Sequence, residues 1–252
     1  MKAVFLDIDN TLLSFDGYVK QTMKEGFEHF GLKPYEPYMF DIFIRENTKL
    51  WRQIEQGTLV FEELEKIRWN IIFKYLDIEF DGTVFEKYFR GRLFDSAIPE
   101  DGAYELLEYL KGKYILCVAS NGPGEQQVHR LEIAGMKKYF DYIFVSERIG
   151  ASKPSKVFFE RAFVELNAGR KEIILPEDTV MIGDSLTSDI AGGQAFGDGS
   201  LSVPEERGNG YTGWCTVGGS VGADRRDLLR CAGGRTPDAP KGQRVGRLVQ
   251  GA

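Results

Sequence analysis

The chain has little of what most often carries chemistry on its own. It holds two histidines, His29 and His129, and three cysteines, Cys117, Cys215 and Cys231, in 252 residues. Three widely spaced cysteines make neither a disulfide framework nor a zinc site. Two distant histidines leave no material for a His-based triad or a His-rich metal site. No stretch approaches 18 consecutive apolar residues, so nothing reads as a membrane span. No signal-peptide pattern precedes the first apolar run, and a cytoplasmic location is expected. Positive charge is not in excess either. The formal net charge of -6 argues against a general surface for a nucleic acid polymer. Carboxylates are left to carry most of the chemistry.

The chain is not short of core. Apolar residues make up 42% and aromatics 13%, in a length that suits one large domain or a core domain with an insert. Residues 3–11 read Ala-Val-Phe-Leu-Asp-Ile-Asp-Asn-Thr. An apolar strand thus ends in two aspartates one residue apart. Strand alternation would point Asp7 and Asp9 to the same side, where their charges repel. A divalent cation between them would relieve the repulsion, as would a division of labour into nucleophile and acid/base partner. An Asp-capped strand end leading into an Asn-Thr turn is the alternative.

The pattern beyond this strand falls into two parts. Residues 16–94 read as almost entirely helical, with Val19, Met23, Phe27 and Phe30, then Phe61, Leu64, Ile71, Ile72 and Tyr75, at helical spacing. Gly31-Leu-Lys-Pro34, Gly57-Thr58 and Asp81-Gly82 divide the region into separate helices. From residue 103 the rhythm alternates. Helices are expected at Tyr104–Leu110, Glu125–Ala134 and Ser155–Leu166, and strands at Tyr114–Ala119, Tyr142–Val145 and Thr179–Ile182. That alternation predicts an α/β fold, a doubly wound parallel sheet with helices on both faces and an all-helical insert. Ligands of such sheets bind beyond the carboxyl ends of the strands. Asp7/Asp9, Ser120/Asn121 and Asp184 all fall there.

These residues make a coherent phosphate site. Lys153 offers a compact positive charge for phosphoryl oxygens, Ser120 a hydroxyl, and the Asn121-Gly122 turn backbone N–H groups. Asp184 and Asp189, in Gly-Asp-Ser-Leu-Thr-Ser-Asp, could complete an oxygen-rich site for a hard cation. Magnesium suits a few carboxylates plus substrate phosphate and water. Taken singly, a Ser-Asn-Gly turn, a Lys before Pro or an Asp near a base is ordinary structure. Their order and placement at strand ends carry the signal.

The set resembles the haloacid dehalogenase-like hydrolase superfamily, mostly magnesium-dependent phosphatases. Asp7-Ile-Asp9-Asn-Thr11 resembles its first motif, Ser120 its second, Lys153-Pro154 its third, and Gly183-Asp184 through Asp189 its fourth. The likeness covers residues 1–196, and the helical insert sits where the alpha-helical cap subclass carries its cap. Ser14-Phe-Asp-Gly17, Leu50-Trp51 with Gln56-Gly57, Asn121-Gly122 with Gln127, and Tyr139-Phe140-Asp141 through Ser152-Lys153-Pro154 resemble the pyrimidine 5′-nucleotidase branch.

The resemblance implies a catalytic core at 1–14 and 95–197 and a helical cap at 15–94. It implies Asp7 as nucleophile, forming an aspartyl-phosphate, Asp9 as acid then base, and Lys153 as an active-site cation. It further implies phosphate binding by Thr11, Ser120, Asn121 and Lys153, and Mg2+ held by Asp7, the Asp9 carbonyl and Asp184 with Asp189 in support. The expected substrate is a small phosphorylated metabolite, a nucleoside 5′-monophosphate first. A sugar-phosphate or phosphoglycolate phosphatase or phosphomutase is the alternative, and a non-catalytic scaffold a further one.

The last 56 residues depart from this pattern. After Phe196 there is no Phe or Ile, one Lys, and 13 of the 29 glycines. The family would continue past Gly197 as Gly-Met-Asp-Thr-x-Trp and a closing helix. This chain reads Gly197-Asp-Gly-Ser-Leu-Ser. Codons for Asp198-Gly199-Ser200 read one base later can spell Met-Asp, and those for Pro204 to Arg207 can spell Pro-Lys-Lys-Glu. A shifted reading frame is one expectation for 198–252, and a divergent tail with its own partner the other. Either way a poorly packed segment is expected, leaving the strand before Asp184 without its usual neighbour.

Overall fold

Alternating side chains build the sheet. In β1 (Ala3–Leu6), β2 (Ile115–Ser120) and β4 (Thr179–Gly183), residues Val4, Leu6, Leu116, Val118, Val180 and Ile182 join one core cluster. Ala3, Phe5, Cys117, Ala119 and Met181 join another. This is the period of two that sends neighbours to opposite faces, with both faces buried. Helix α5 (Ala103–Leu110) covers the first face through Leu106, Leu107 and Leu110, helped by Leu131 of α6 (Gly124–Ile133). Helix α8 (Lys156–Leu166) covers the second through Phe158, Phe159, Phe163 and Leu166.

The computed structural model describes residues 1–197 together with the backbone of Gly199–Ser202 and Cys215–Thr216. The strand order is β3-β2-β1-β4-β5-β6, with β3 at Tyr142–Val145, β5 at Gly199–Ser202 and β6 at Cys215–Thr216. β1 lies between β2 and β4, all parallel, with Leu6 opposite Val118 on one side and Ile182 on the other. The chain builds outward from β1 to β3 and then returns to the far side of β1. The order therefore reverses at β1, and the ends of β1, β2 and β4 share one rim. That rim is where an open α/β sheet binds ligands.

β5 runs parallel to β4, with Val180 opposite Gly199 and Gly183 opposite Ser202, and β6 pairs antiparallel to β5. This corrects the expectation that the Asp184 strand lacks a neighbour. A ladder is made of backbone groups, and an open parallel edge can pair with a segment that has few strand-forming side chains. The other expectations for 198–252, poor packing and a shifted frame, lie outside the described residues.

Between β1 and α5 the chain forms four helices: α1 (Phe15–His29), α2 (Pro37–Glu55), α3 (Phe61–Leu76) and α4 (Gly82–Phe94). They start and stop for local reasons. The Ser14 hydroxyl accepts the Gly17 N–H at 3.2 Å, Pro37 opens α2, and the Asp81 carboxylate accepts the Thr83 N–H at 2.8 Å. Helix α3 ends at Asp77 in the left-handed conformation, φ 53°. Their buried faces form a separate cluster including Phe27, Phe43, Trp69, Phe73, Phe85 and Phe89. The two crossings back to the sheet run side by side. Leu13 bridges Pro99, and the Ser14 N–H donates to the Ile98 carbonyl at 2.7 Å.

Short elements that periodicity did not show also appear: α7 (Ser146–Ile149), a π-turn at Leu186–Ile190 and α9 (Ala191–Phe196). No helix among the described residues is long and apolar enough to cross a membrane.

Candidate active site

β1 ends at Leu6, so strand alternation does not govern the two aspartates that follow. The Asp7 N–H still donates to the Ile182 carbonyl of β4 at 2.9 Å, which fixes Asp7 on the rim between strands. The chain then leaves the sheet, and Asp9 bridges Leu13 in the turn. The two carboxyl groups stay close enough for the charge of Asp9 to raise Asp7, but they take different partners. Asp7 is buried beside Lys153, whereas Asp9 faces α6.

Lys153 is 1% exposed and all three of its ammonium protons are placed. It donates to Asp7 Oδ1 at 2.8 Å, to Asp189 Oδ1 at 2.5 Å and to the Ala119 carbonyl at 2.5 Å. Asn121 sets its backbone: the Lys153 N–H donates to Asn121 Oδ1 at 2.8 Å, and Asn121 Nδ2 donates to the Lys153 carbonyl at 2.9 Å. The Asn121 side chain thus holds the lysine loop, which leaves its own backbone as the part available to phosphate. The Gly122 N–H is not free for that task, because it donates to Ser120 Oγ at 3.1 Å. Ser120 Oγ accepts a second bond, from Gln127 Nε2 at 2.8 Å. With both acceptor positions taken, the hydroxyl proton is what Ser120 can offer a phosphoryl oxygen. Thr11 is buried, and its hydroxyl has no partner among the described residues.

Asp184 and Asp189 complete the rim. Ser185 Oγ accepts the Ser188 N–H at 3.1 Å and caps the π-turn that carries Asp189 back towards β4. Asp189 Oδ2 accepts the Ser185 N–H at 3.1 Å. Gly183 is required here, because a Cβ would run into the Asp189 carboxylate. Carboxylate oxygens of Asp7, Asp184 and Asp189 lie within 4.8 Å of one another. Asp9 is not one of the three.

Asp7 and Asp189, both buried, and the half-buried Asp184 face one buried ammonium, so full ionisation would leave two negative charges in excess. Burial pushes the Asp7 carboxyl up to about 7; Lys153 opposes the rise, and Asp189 and Asp9 add to it. Burial also raises Asp184 well above the carboxylate range, with Asp7 and Asp189 adding to the effect. Burial alone would lower Lys153, but Asp189 and Asp7 more than offset it and hold the ammonium above its ordinary value. Burial first, and then the crowding of carboxyl groups around one ammonium, account for the three directions. A hard divalent cation fits this donor set: it would balance the two charges, and its preferred ligands are oxygens.

Asp9 has its own partners. Arg130 Nη1 donates to Oδ1 at 2.6 Å and Gln127 Nε2 to Oδ2 at 2.8 Å, both from α6. The sequence offers Gln127 only as a point of likeness and does not single out Arg130. The available signal was Gln127-x-x-Arg130, one helical turn on a single face, directly after the Ser120-Asn121-Gly122 turn. Neither histidine reaches the site. His129 pairs with Asp95 at 2.9 Å, and His29 stacks on Tyr88.

Comparison with known proteins bears on the family and the fold. A family model described as haloacid dehalogenase-like hydrolase matches residues 1–197. The HAD-hydrolase YfnB of Bacillus subtilis is 32% identical over 196 residues, covering 78% of this chain and 81% of that protein. A crystal structure of YfnB bound to magnesium superposes with a TM-score of 0.69, covering 79% of this chain and 85% of that one, at 31% identity. The pyrimidine 5′-nucleotidase PynA of Streptococcus pneumoniae is 31% identical over 197 residues, 78% of this chain and 81% of its own. A glyceraldehyde 3-phosphate phosphatase of Methanothermobacter thermautotrophicus is 28% identical over 216 residues, 82% and 87% of the two chains.

Proposed function

The chain belongs to the haloacid dehalogenase-like hydrolase family, and on that premise we propose that it is a magnesium-dependent phosphatase acting on nucleoside 5′-monophosphates. The observation that carries the phosphatase reading is the meeting of Asp7, Ser120, Lys153, Asp184 and Asp189 on one rim, with negative charge left unbalanced. Likeness to PynA supports the choice of nucleotide.

In this reading the phosphate monoester docks with its oxygens towards the Ser120 hydroxyl. A carboxylate oxygen of Asp7 attacks phosphorus, the P–O ester bond breaks, and an aspartyl-phosphate forms. Lys153 holds Asp7 Oδ1 and fixes the plane of the nucleophile. Asp9 gives its proton to the departing alkoxide, then takes one from the water that hydrolyses the aspartyl-phosphate. Asp7, Asp184 and Asp189 would hold Mg2+, which when bound supplies charge neutralisation for nucleophile and phosphate. The helical region 15–94 enters one turn after the nucleophile and acts as the lid that excludes water and selects the leaving group.

The test is a screen of the purified full chain against nucleoside 5′-monophosphates and sugar phosphates, with Mg2+ and with chelator. Highest kcat/KM on a nucleotide, lost in chelator, is expected. Turnover that survives chelator overturns the metal reading. A preference for small phosphorylated sugars overturns the nucleotide and favours the second reading, supported by likeness to the glyceraldehyde 3-phosphate phosphatase.

A further inference from the structure

We propose that Gln127 and Arg130 are positioning residues that lock the acid/base Asp9 and the phosphate-binding hydroxyl of Ser120 into one rigid unit, anchored to the linker returning from the helical insert. The proposal rests on the reading of Asp9 as acid and base. Arg130 and Gln127 are both 0% exposed. Arg130 Nη1 donates to Asp9 Oδ1 at 2.6 Å and to Gln127 Oε1 at 2.9 Å. A guanidinium can only donate, so it forces the Gln127 amide to turn its oxygen inwards and its NH2 outwards. That NH2 bonds Asp9 Oδ2 and Ser120 Oγ, each at 2.8 Å. Arg130 Nε donates to the Ser96 carbonyl at 2.9 Å, two residues beyond the end of α4.

Two further features indicate a designed geometry rather than packing. A Cβ at residue 122 would collide with the Gln127 amide, so Gly122 makes the room this amide occupies. Arg130 Nη2 is buried with no partner among the described residues. A buried guanidinium with an unmet donor is a costly choice where packing is the only need. What an apolar residue could not do is orient Gln127 and hold Asp9 through both oxygens.

The experiment follows leaving-group release in a single turnover, with an alkyl phosphate and with 4-nitrophenyl phosphate. The variants are Arg130→Met, Arg130→Lys, Gln127→Met, Asp9→Asn and the Asp9→Asn/Arg130→Met pair. Arg130→Met should slow alkyl release by roughly 10- to 100-fold while substrate affinity changes by less than about threefold. It should slow nitrophenolate release far less, because that group departs without a proton. Arg130→Lys should recover part of the loss, and Gln127→Met should show the same selectivity. Adding Arg130→Met to Asp9→Asn should change nothing further. Losses that multiply, or that fall equally on both leaving groups, overturn the positioning role even if one variant folds poorly, since Arg130→Lys and Gln127→Met report independently. If Asp9→Asn itself releases the alkyl group at the full rate, the acid/base reading fails and takes this one with it. If Asp9→Asn is slow and Arg130→Met is not, only the positioning role is lost.

Discussion

The helical insert and the sheet rim solve opposite problems with the same alphabet. The insert buries rings against rings: Trp69 lies 4.4 Å from Phe85, 5.2 Å from Phe89 and 5.3 Å from Phe43 between centroids. Its buried ions are matched. Arg68 pairs with Glu86 through two nitrogens and with Asn47 Oδ1 at 3.2 Å. The rim instead gathers three carboxylates around one lysine and leaves charge unbalanced. Burial of apolar area stabilises the first arrangement, whereas on the second the ion pairs of Lys153 with Asp7 and Asp189 are set against the cost of crowding a third carboxyl group beside them. Stability is concentrated in one region and chemical strain in the other, as expected where a site is built for a substrate and a cation rather than for folding.

The sharpest way to break this comparison is Asp7→Asn. The substitution keeps shape and removes a charge from an overcharged cluster, so turnover should fall by at least about 10³-fold while the melting temperature holds or rises. Turnover near wild type would remove Asp7 from the chemistry. Next in size is Trp69→Ala, which leaves a cavity among four aromatic neighbours. A loss of about 3–5 kcal/mol is expected from the helical region, read by hydrogen exchange as early opening of residues 15–94 with Ile115–Ser120 still protected. Uniform loss of protection would show that insert and sheet unfold as one.

A smaller effect, of opposite sign, is expected at Asp184. Its folded pKa is raised by burial and by Asp7 and Asp189. A carboxyl raised on folding contributes stability that is full below its ordinary value of 3.8 and is lost as pH climbs through the folded value. For Asp7 that window runs up to about 7. In chelator, Asp184→Asn should therefore melt higher than wild type by about 2–4 °C per kcal/mol recovered. The gap should widen from acid to pH 8, and magnesium should raise the melting temperature of the wild type alone. An Asp184→Asn protein that melts lower at pH 8 in chelator would mean that the cluster is a stabilising network after all.

The two regions also differ in what their sequence disclosed. The helix breaks of the insert were legible because they are local: Gly31 to Pro34 and Gly57-Thr58 lie between helices, and Asp81-Gly82 sits where α4 begins. On the rim, order and strand ends predict that Asp7, Lys153 and Asp184 meet, and the structure brings them together. The duties of individual groups were not legible. The sequence offers the Asn121-Gly122 turn through its backbone N–H groups; it does not show that the Asn121 side chain closes on the Lys153 backbone, 32 residues away, or that the Gly122 N–H is taken by Ser120. Arg130 was missed because which face of α6 turns to the site depends on how that helix packs. That Asp9 would be held by Gln127 and Arg130 was not legible either, because they lie 118 and 121 residues away in sequence. Gly199–Ser202 offers almost no apolar pattern, and only the waiting edge of β4 makes it a strand.

The smallest expected effect tests whether insert and rim communicate at all. Thr187 Oγ1, in the π-turn between Asp184 and Asp189, donates to Glu55 Oε2 at 3.3 Å, on the last turn of α2. Glu55 is half-buried, and burial raises its carboxyl; the Thr187 bond works against that rise, while the nearby Asp189 adds to it. Thr187→Val keeps the shape and deletes the bond. One such hydrogen bond is worth about 1 kcal/mol, so the melting temperature should move little and kcat/KM should fall by no more than about tenfold. If the insert closes on the rim through this contact, the change falls on KM and leaves kcat in place, because closure is a binding step while the nucleophile and acid are untouched. A loss confined to kcat would instead mean that Thr187 acts through the neighbouring carboxylates. Identical kinetics in both proteins would show that the contact is incidental and that closure, if it occurs, is carried by the Ser14 and Ile98 crossings and by the Arg130 anchor at Ser96.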